Sequence, residues 1–435
     1  MVSLEAASKS VAVQQALRAE AALGNALFQL GRTRSDPMRL REAAAELAAT
    51  LRSYPRQNET EYTLAATWSL LGDADQAAQH LGVAIDHDPD GQLARRAATD
   101  PDLAAVRASP AYTAALDRRR RRLAEDQAKS FFRRANKTQQ TAERTNDLLV
   151  AAALLQQATA LYQQAVDATP DHYPSQALYA TALVQLASLN ARHPNQQLPF
   201  LEAARIRFAA AAQCPEVDAQ LYDQWSTFLL NAYYPLLTKP ADQLQFLTDA
   251  RQVLDQGIAR ARFSGLRGRL ESQLGTALVL LAQLPSPDPN PNPNPTALYA
   301  EAIKHFQTAA AAETGSRTAN FYELWGIALL RVGQSSKDTM LVRQATERLL
   351  KSLELKATNP TVHYNLACAY SQLRQPDQAL RHLELSLHQD PQGLFYTNAE
   401  KDPDLEPLRR TDAFTKLFHR RPKPDADEHP TVSEK

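Results

Sequence analysis

The sequence predicts an all-α chain assembled as a stack of antiparallel helix pairs. Three observations carry that expectation. Glycine accounts for only 13 of 435 residues, whereas turn-rich sheets and Gly-loop nucleotide folds need more. Apolar residues recur at helical spacing: Tyr62, Leu64, Ala65 and Trp68 share one face, and after a turn at Gly72-Asp73 so do Ala77, Leu81 and Ala84. Finally, one long stretch occurs twice. Adding 302 to the numbers of residues 58–116 gives residues 360–418, and 21 of the 59 positions are identical without a gap. Background usage would give roughly three or four.

The first helix pair spans residues 10–55. Leu23, Gly24 and Leu27 belong to its first helix, which is expected to end at Gly31. Residues 32–38 read as an inserted loop. Ala43, Leu47 and Thr50 lie on the second helix, and Pro55 closes it. The 302 offset reaches this pair too, matching Gly24 to Gly326, Leu27 to Leu329, Gly31 to Gly333, Ala43 to Ala345 and Leu47 to Leu349. The duplicated unit is therefore about 100 residues long rather than one helix pair of about 34. Residues 58–90 form the second pair, stopped by Pro89. Ala65 and Ala77 stand where its helices cross, and larger side chains would force the axes beyond the usual separation of about 8–10 Å.

Small, aromatic, small, large apolar and small residues followed by proline, at the intervals of residues 58–90 and 360–391, resemble the tetratricopeptide repeat (TPR) family. The resemblance implies helix pairs of about 34 residues that stack into a right-handed α-solenoid, the first helices lining its inner face. Asp100-Pro101-Asp102-Leu103 and its counterpart Asp402-Pro403-Asp404-Leu405 read as helix starts, with an acidic N-cap and proline at the first helical position. A short second helix is expected from Ser109-Pro110, with Tyr112 packing back as Phe414 does in the other copy. This segment resembles the end-of-group element that covers the last apolar face of some bacterial TPR units. A metal site is the rival reading of the aspartate pair. It lacks histidine or a further carboxylate at ligand spacing, and capping explains Pro plus Asp.

Arg118 to Arg122 form a run of five arginines at the seam after the first array. It reads as a phosphate-binding patch or as a solvated helix flanked by Asp117, Glu125 and Asp126. Beyond it, second-helix signals recur at Ala158-Tyr162-Ala165, Ala204-Phe208-Ala211, Ala250-Leu254-Gly257 and Ala302-Phe306-Ala309. First helices are expected around Tyr179, Trp225 and Leu274-Gly275. Alternating prolines from Pro285 to Pro295 bar helix and sheet and predict an extended loop. About eight pairs result. The chain divides into an N-terminal array (1–118), a central set (119–300), a C-terminal array duplicating the first (301–420) and a charged tail (421–435) expected to be disordered.

The charges constrain function by what they exclude. Lys and Arg number 48, as do Asp and Glu, so no global field attracts nucleic acid or anionic membrane. Two cysteines, Cys214 and Cys368, exclude a disulfide scaffold, and Cys368 reads as a small core residue. The first 30 residues carry Glu5, Lys9, Arg18 and Glu20 without an apolar run, unlike a signal peptide. A reducing, cytoplasmic location is the expectation. No Gly-rich phosphate loop, Gly-x-Ser-x-Gly elbow, His-Glu-x-x-His or Cys-x-x-Cys occurs. No catalytic residue, cofactor or metal ligand is therefore assigned. His80 and His382, equivalent in the duplication, read as helix-face histidines.

The resemblance implies a non-enzymatic scaffold that holds a partner peptide or helix in its inner groove. Groove-facing candidates are Tyr62, Asp223, Asn231, Arg269, Ser272, Glu323, Arg331, Tyr364 and Gln372. Some TPR domains clamp a terminal carboxylate with Lys and Asn. Tyr364 and Cys368 replace them here, as do Tyr62 and Ala66, which disfavours that ligand. Alternatives are a regulatory subunit for an enzyme on another chain, or nucleic-acid binding through Arg118–Arg122. Oligomeric state is not encoded in any motif.

Overall fold

The computed structural model describes residues 19, 21–55, 57–285, 294–312, 317–390 and 393–418. Most of the proline-rich loop and the tail from residue 419 lie outside these. The chain divides into two compact units, residues 1–131 with 167–169, and residues 132–166 with 170–435. Among the described residues every regular element is helical.

In the first unit, α1 (residues 21–34) packs with α2 (Pro37–Ser53), and α3 (Asn58–Leu70) with α4 (Ala74–Asp86). The expected loop at residues 32–38 is corrected. Its residues extend the helices, and only Ser35 and Asp36 remain between them. Asp36 makes this possible, because its carboxylate accepts the Met38 N–H at 2.9 Å and so caps α2 one residue before Pro37. Close approach is bought by small residues. A Cβ on Gly24 would lie 2.7 Å from Leu47, and Ala65 and Ala77 are fully buried. The cap follows as α5 (Gln92–Thr99), a 3-10 turn at Pro101–Leu103 and α6 (Ala104–Arg107).

The short helix expected from Pro110 is also corrected. It is the start of α7 (Pro110–Arg144), which runs for 35 residues from the first unit into the second. With no Gly or Pro between Ala111 and Arg144, nothing in this segment breaks a helix.

In the second unit α7 is joined to α8 (Leu148–Ala168) by the Tyr162 hydroxyl, which donates to Gln139 at 2.8 Å. Three pairs follow: α9 (Tyr173–Leu189) with α10 (Pro194–Ala212), α11 (Ala219–Phe228) with α12 (Pro240–Arg260), and α13 (Ser264–Gln283) with α14 (Pro295–Ala311). The duplicate closes the chain: α15 (Ala319–Ser336) with α16 (Thr339–Leu355), α17 (Pro360–Gln372) with α18 (Pro376–His388), then a cap of α19 (Leu394–Lys401), a 3-10 turn at Pro403–Leu405, α20 (Glu406–Arg409) and α21 (Asp412–Phe418). A Cβ on Gly326 would lie 2.7 Å from Leu349, reproducing the Gly24–Leu47 contact.

Candidate binding cavities and the duplicated cap

The cap is built twice from the same bonds. The Tyr62 hydroxyl donates to Asp100 Oδ2 at 2.8 Å, and Tyr364 donates to Asp402 Oδ2 at 2.8 Å. The other carboxylate oxygen accepts the N–H of Asp102 at 3.1 Å, or of Asp404 at 3.0 Å. Arg107 donates to the carbonyls of Ala97 and Asp100, and Arg409 to those of Ala399 and Asp402. Asp88 and Asp390 accept the first N–H groups of α5 and α19. One aspartate thus ties a first-helix tyrosine to the turn that ends the array. Burial, reinforced by the aspartate, raises both tyrosine hydroxyls far above their ordinary pKa, so they stay protonated and donate.

This geometry engages the hydroxyls of two of the groove candidates. Tyr62 is 1% exposed and Tyr364 7%, and their hydroxyls are spent on the cap. The structure groups Tyr364 with Arg331 and Gln372 around the second cap's aspartates. Gln372 donates to Asp404 at 2.9 Å, Gln334 at 2.6 Å, and Arg331 lies 3.7 Å away. Cys368, buried as expected, points its thiol at Asp402 over 3.7 Å. Cys368, Asp402 and Asp404 therefore stand close enough to suit a cation, although the sequence offers no such spacing. Both carboxylates are already occupied by protein donors. Burial and Asp402 beside it push the Asp404 carboxyl up, and burial pushes the Cys368 thiol up.

The remaining candidates separate. Asp223 and Asn231 converge on a cavity of about 410 Å3 between α9 and α11, walled by Val184, Phe208, Phe228 and Ala232. Arg269 belongs to the same site through an ion pair with Asp223 at 3.0 Å, and Gln273 donates to Asp223 at 3.0 Å. Ser272 is half-buried and engages Thr276 through its carbonyl alone. Glu323 accepts from Asn359 at 2.8 Å, away from that cavity, and burial raises its carboxyl.

Sequence reasoning missed how the cavity is opened. After Phe228 the helix widens into a π-turn at Leu229–Tyr233 and then tightens into a 3-10 turn at Tyr234–Leu236. Pro235 has no N–H to return to the carbonyl four residues back, so regular α geometry ends before it. The widened turn carries Asn231 and Ala232 into the cavity wall, and π-turns often mark functional sites. The Leu-Leu-Asn-Ala-Tyr-Tyr-Pro run was the available signal. Aromatic stacking fixes the turn: Phe228 on Phe208 at 5.4 Å and Tyr233 on Phe246 at 4.9 Å.

Among the described residues the helices pack in consecutive pairs. No family model and no curated protein matches the sequence. Solved structures that resemble the chain include pilF of Pseudomonas aeruginosa, at 12% identity and TM-score 0.40, covering 64% of this chain and 98% of that one. YrrB, described as a TPR protein with an unusual peptide-binding site, aligns at 15% identity and TM-score 0.36, covering 55% of this chain and 97% of its own. The Cut9–Hcn1 complex of the APC/C aligns at 14% and 0.36, covering 87% and 86%. No helix among the described residues is long and apolar enough to cross a membrane.

The arginine run is partly spent within the protein. Arg118 pairs with Asp86 at 3.3 Å, and Arg119 donates to the Asp88 carbonyl at 3.4 Å. Both clamp α7 to the end of α4, and Arg120 pairs with Asp117 at 3.4 Å on its own helix.

Proposed function

We propose that the protein is an interaction scaffold that holds an extended segment of a partner protein across α9 and α11, seating one apolar side chain in the cavity beside Asn231. The observation behind this reading is the convergence of Asp223, held by Arg269, and Asn231 on a cavity walled by Phe208 and Phe228. A few convergent polar groups orient a ligand, and the apolar wall supplies the burial energy. Asn231 is exposed at the rim and offers both a donor and an acceptor to a peptide backbone. The Asp223 carboxylate is fixed by Arg269 and Gln273, so the site is preorganised and little side-chain entropy is lost on binding.

The test fills the cavity from its rim. Protein partners are captured on immobilised wild type and on Ala232→Trp, with Leu355→Ala as a surface control far from the cavity in sequence. The expected result is selective loss of a defined set of proteins from Ala232→Trp. Equal recovery on all three, with Ala232→Trp folded by circular dichroism, would overturn the reading. Nucleic acid is the less supported alternative, because Arg118 and Arg119 are engaged with α4. Oligomeric state and the regulatory-subunit reading rest on the same capture, through the identity of what is recovered.

A further inference from the structure

Beside the second cap, Arg331, Tyr364, Thr397, Asn398, Lys401 and Asp402 border a cavity of about 500 Å3. In the first copy a charged side chain lies over the matching tyrosine. There Asn398 is replaced by Arg96, whose guanidinium lies 4.2 Å over the Tyr62 ring and pairs with Glu59 at 3.1 Å. The residue matching Glu59 is Thr361. The second copy has therefore kept the tyrosine and aspartate but lost both the arginine and its counter-ion. Two cations appear in their stead: Gln29 and Thr99 of the first copy correspond to Arg331 and Lys401.

The charges that remain available are positive. Asp402 already accepts from the Tyr364 hydroxyl, the Cys368 thiol and the Asp404 N–H. Asp404 is held by Gln334, Gln372 and Arg331. Lys401 is exposed at the cavity and enters no ion pair among the described residues. Arg331 is 42% exposed, donates to Gln334 at 3.1 Å and lies 3.7 Å from Asp404, both through one guanidinium nitrogen, which leaves its other donors for a ligand.

We propose that this cavity is an anion site that receives side-chain carboxylates from an acidic segment of a protein partner. Lys401 and Arg331 supply the charge, Asn398 an amide donor, and the Tyr364 edge a wall. Charge-assisted hydrogen bonds from two cations are the stronger kind, and the interaction weakens with salt. The proposal is independent of the cavity beside Asn231. Ala232→Trp leaves the cap unchanged, so the two readings fail separately.

The test uses the full chain and a rhodamine-labelled peptide of six glutamates, with a six-glutamine peptide as control, followed by fluorescence anisotropy at low salt. Wild type is expected to bind the glutamate peptide and not the control. Lys401→Gln, at an exposed position, is expected to weaken binding by about tenfold or more, the value of one charged hydrogen bond. Asn398→Arg restores the first copy's arginine and adds a positive charge. A cavity site predicts that it abolishes binding, whereas attraction by surface field alone predicts tighter binding. Unchanged or tighter binding by Asn398→Arg overturns the proposal, as does equal binding of the two peptides. Inorganic phosphate that displaced the peptide at equal concentration would assign the cavity to a free anion and overturn the peptide reading.

Discussion

The two copies of the duplicated unit share a skeleton and differ in what surrounds it. Tyr62–Asp100 and Tyr364–Asp402 have the same bond length, and Leu103 and Leu405 are both fully buried. Around this shared frame the polar positions have been exchanged. Glu61 and His80 of α3 and α4 meet at 2.7 Å, and at the matching positions His363 and His382 meet at 3.0 Å with Tyr370 stacked on His382. Arg32 pairs with Asp102 at 2.7 Å in the first copy, while Gln334 takes that place against Asp404 in the second. Duplication thus preserved the bonds that end an array and released the positions around them to diverge.

The largest expected effect tests the shared part. Leu103→Ala and Leu405→Ala each empty a fully buried site, at a cost of about 2–5 kcal/mol. Hydrogen exchange should show α3 deprotected by the first and α17 by the second, to similar extents. If one copy tolerated the change and the other did not, the caps would not be equivalent.

What the sequence could and could not show follows the range of each interaction. Ala65 and Ala77 were legible, because small residues at helical spacing report a crossing locally. The Asp-Pro-Asp-Leu caps were legible for the same reason. The residue 32–38 loop was misread because Asp36 and Pro37 can punctuate a two-residue turn as well as a long one. The hydroxyl bonds of Tyr62 and Tyr364 were not legible, because their partners lie 38 positions away. Asp223 and Asn231 stand among the groove candidates of the sequence, but the π-turn that brings Asn231 to the cavity depends on Pro235 acting backwards on the helix.

Next in size is a pH effect confined to the second copy. Burial, then His363 and Arg381 beside it, lowers His382 to about 4, and burial lowers His363. Both histidines are neutral when folded, while the unfolded chain takes up protons near pH 6.5. The stabilisation is therefore complete above pH 6.5 and is lost as pH falls from there toward about 4. NMR titration should find His382 neutral at pH 5.5. His363→Glu copies the first copy's partner, favours the imidazolium, and should remove the acid-side loss. A wild-type His382 that titrates near 6.5 would refute the account.

A smaller effect sits in the turn between the helices of each second pair. Gly72 has φ 84° and the matching Arg374 has φ 58°, so one copy meets a left-handed turn with glycine and the other with a side chain. Left-handed geometry costs a non-glycine residue about 1–2 kcal/mol, partly offset by its lower entropy loss relative to glycine. Arg374→Gly is expected to stabilise α17–α18 by up to about 1 kcal/mol, and Gly72→Arg to destabilise α3–α4 by a similar amount. Urea midpoints followed by a probe in each pair measure both. A destabilising Arg374→Gly would show that the arginine makes contacts worth more than its backbone strain.

The smallest change in stability carries the sharpest test of divergence. Arg96 is 54% exposed and Glu59 73%, so their pair contributes about 0–1 kcal/mol, with about 0.5–1 kcal/mol more from the contact with the Tyr62 ring. Replacing Gln29, Glu59, Arg96 and Thr99 by Arg, Thr, Asn and Lys installs the second copy's rim on the first at little cost to folding. If the rim residues alone define the anion site, this variant should bind the six-glutamate peptide at two sites where wild type has one. A stoichiometry still at one, with Lys401→Gln in the same background abolishing it, would show that the cap frame is shared but the cavity depends on more of the second copy than its rim. The same titration on Lys401→Gln with the installed rim should otherwise leave one site, now in the first copy.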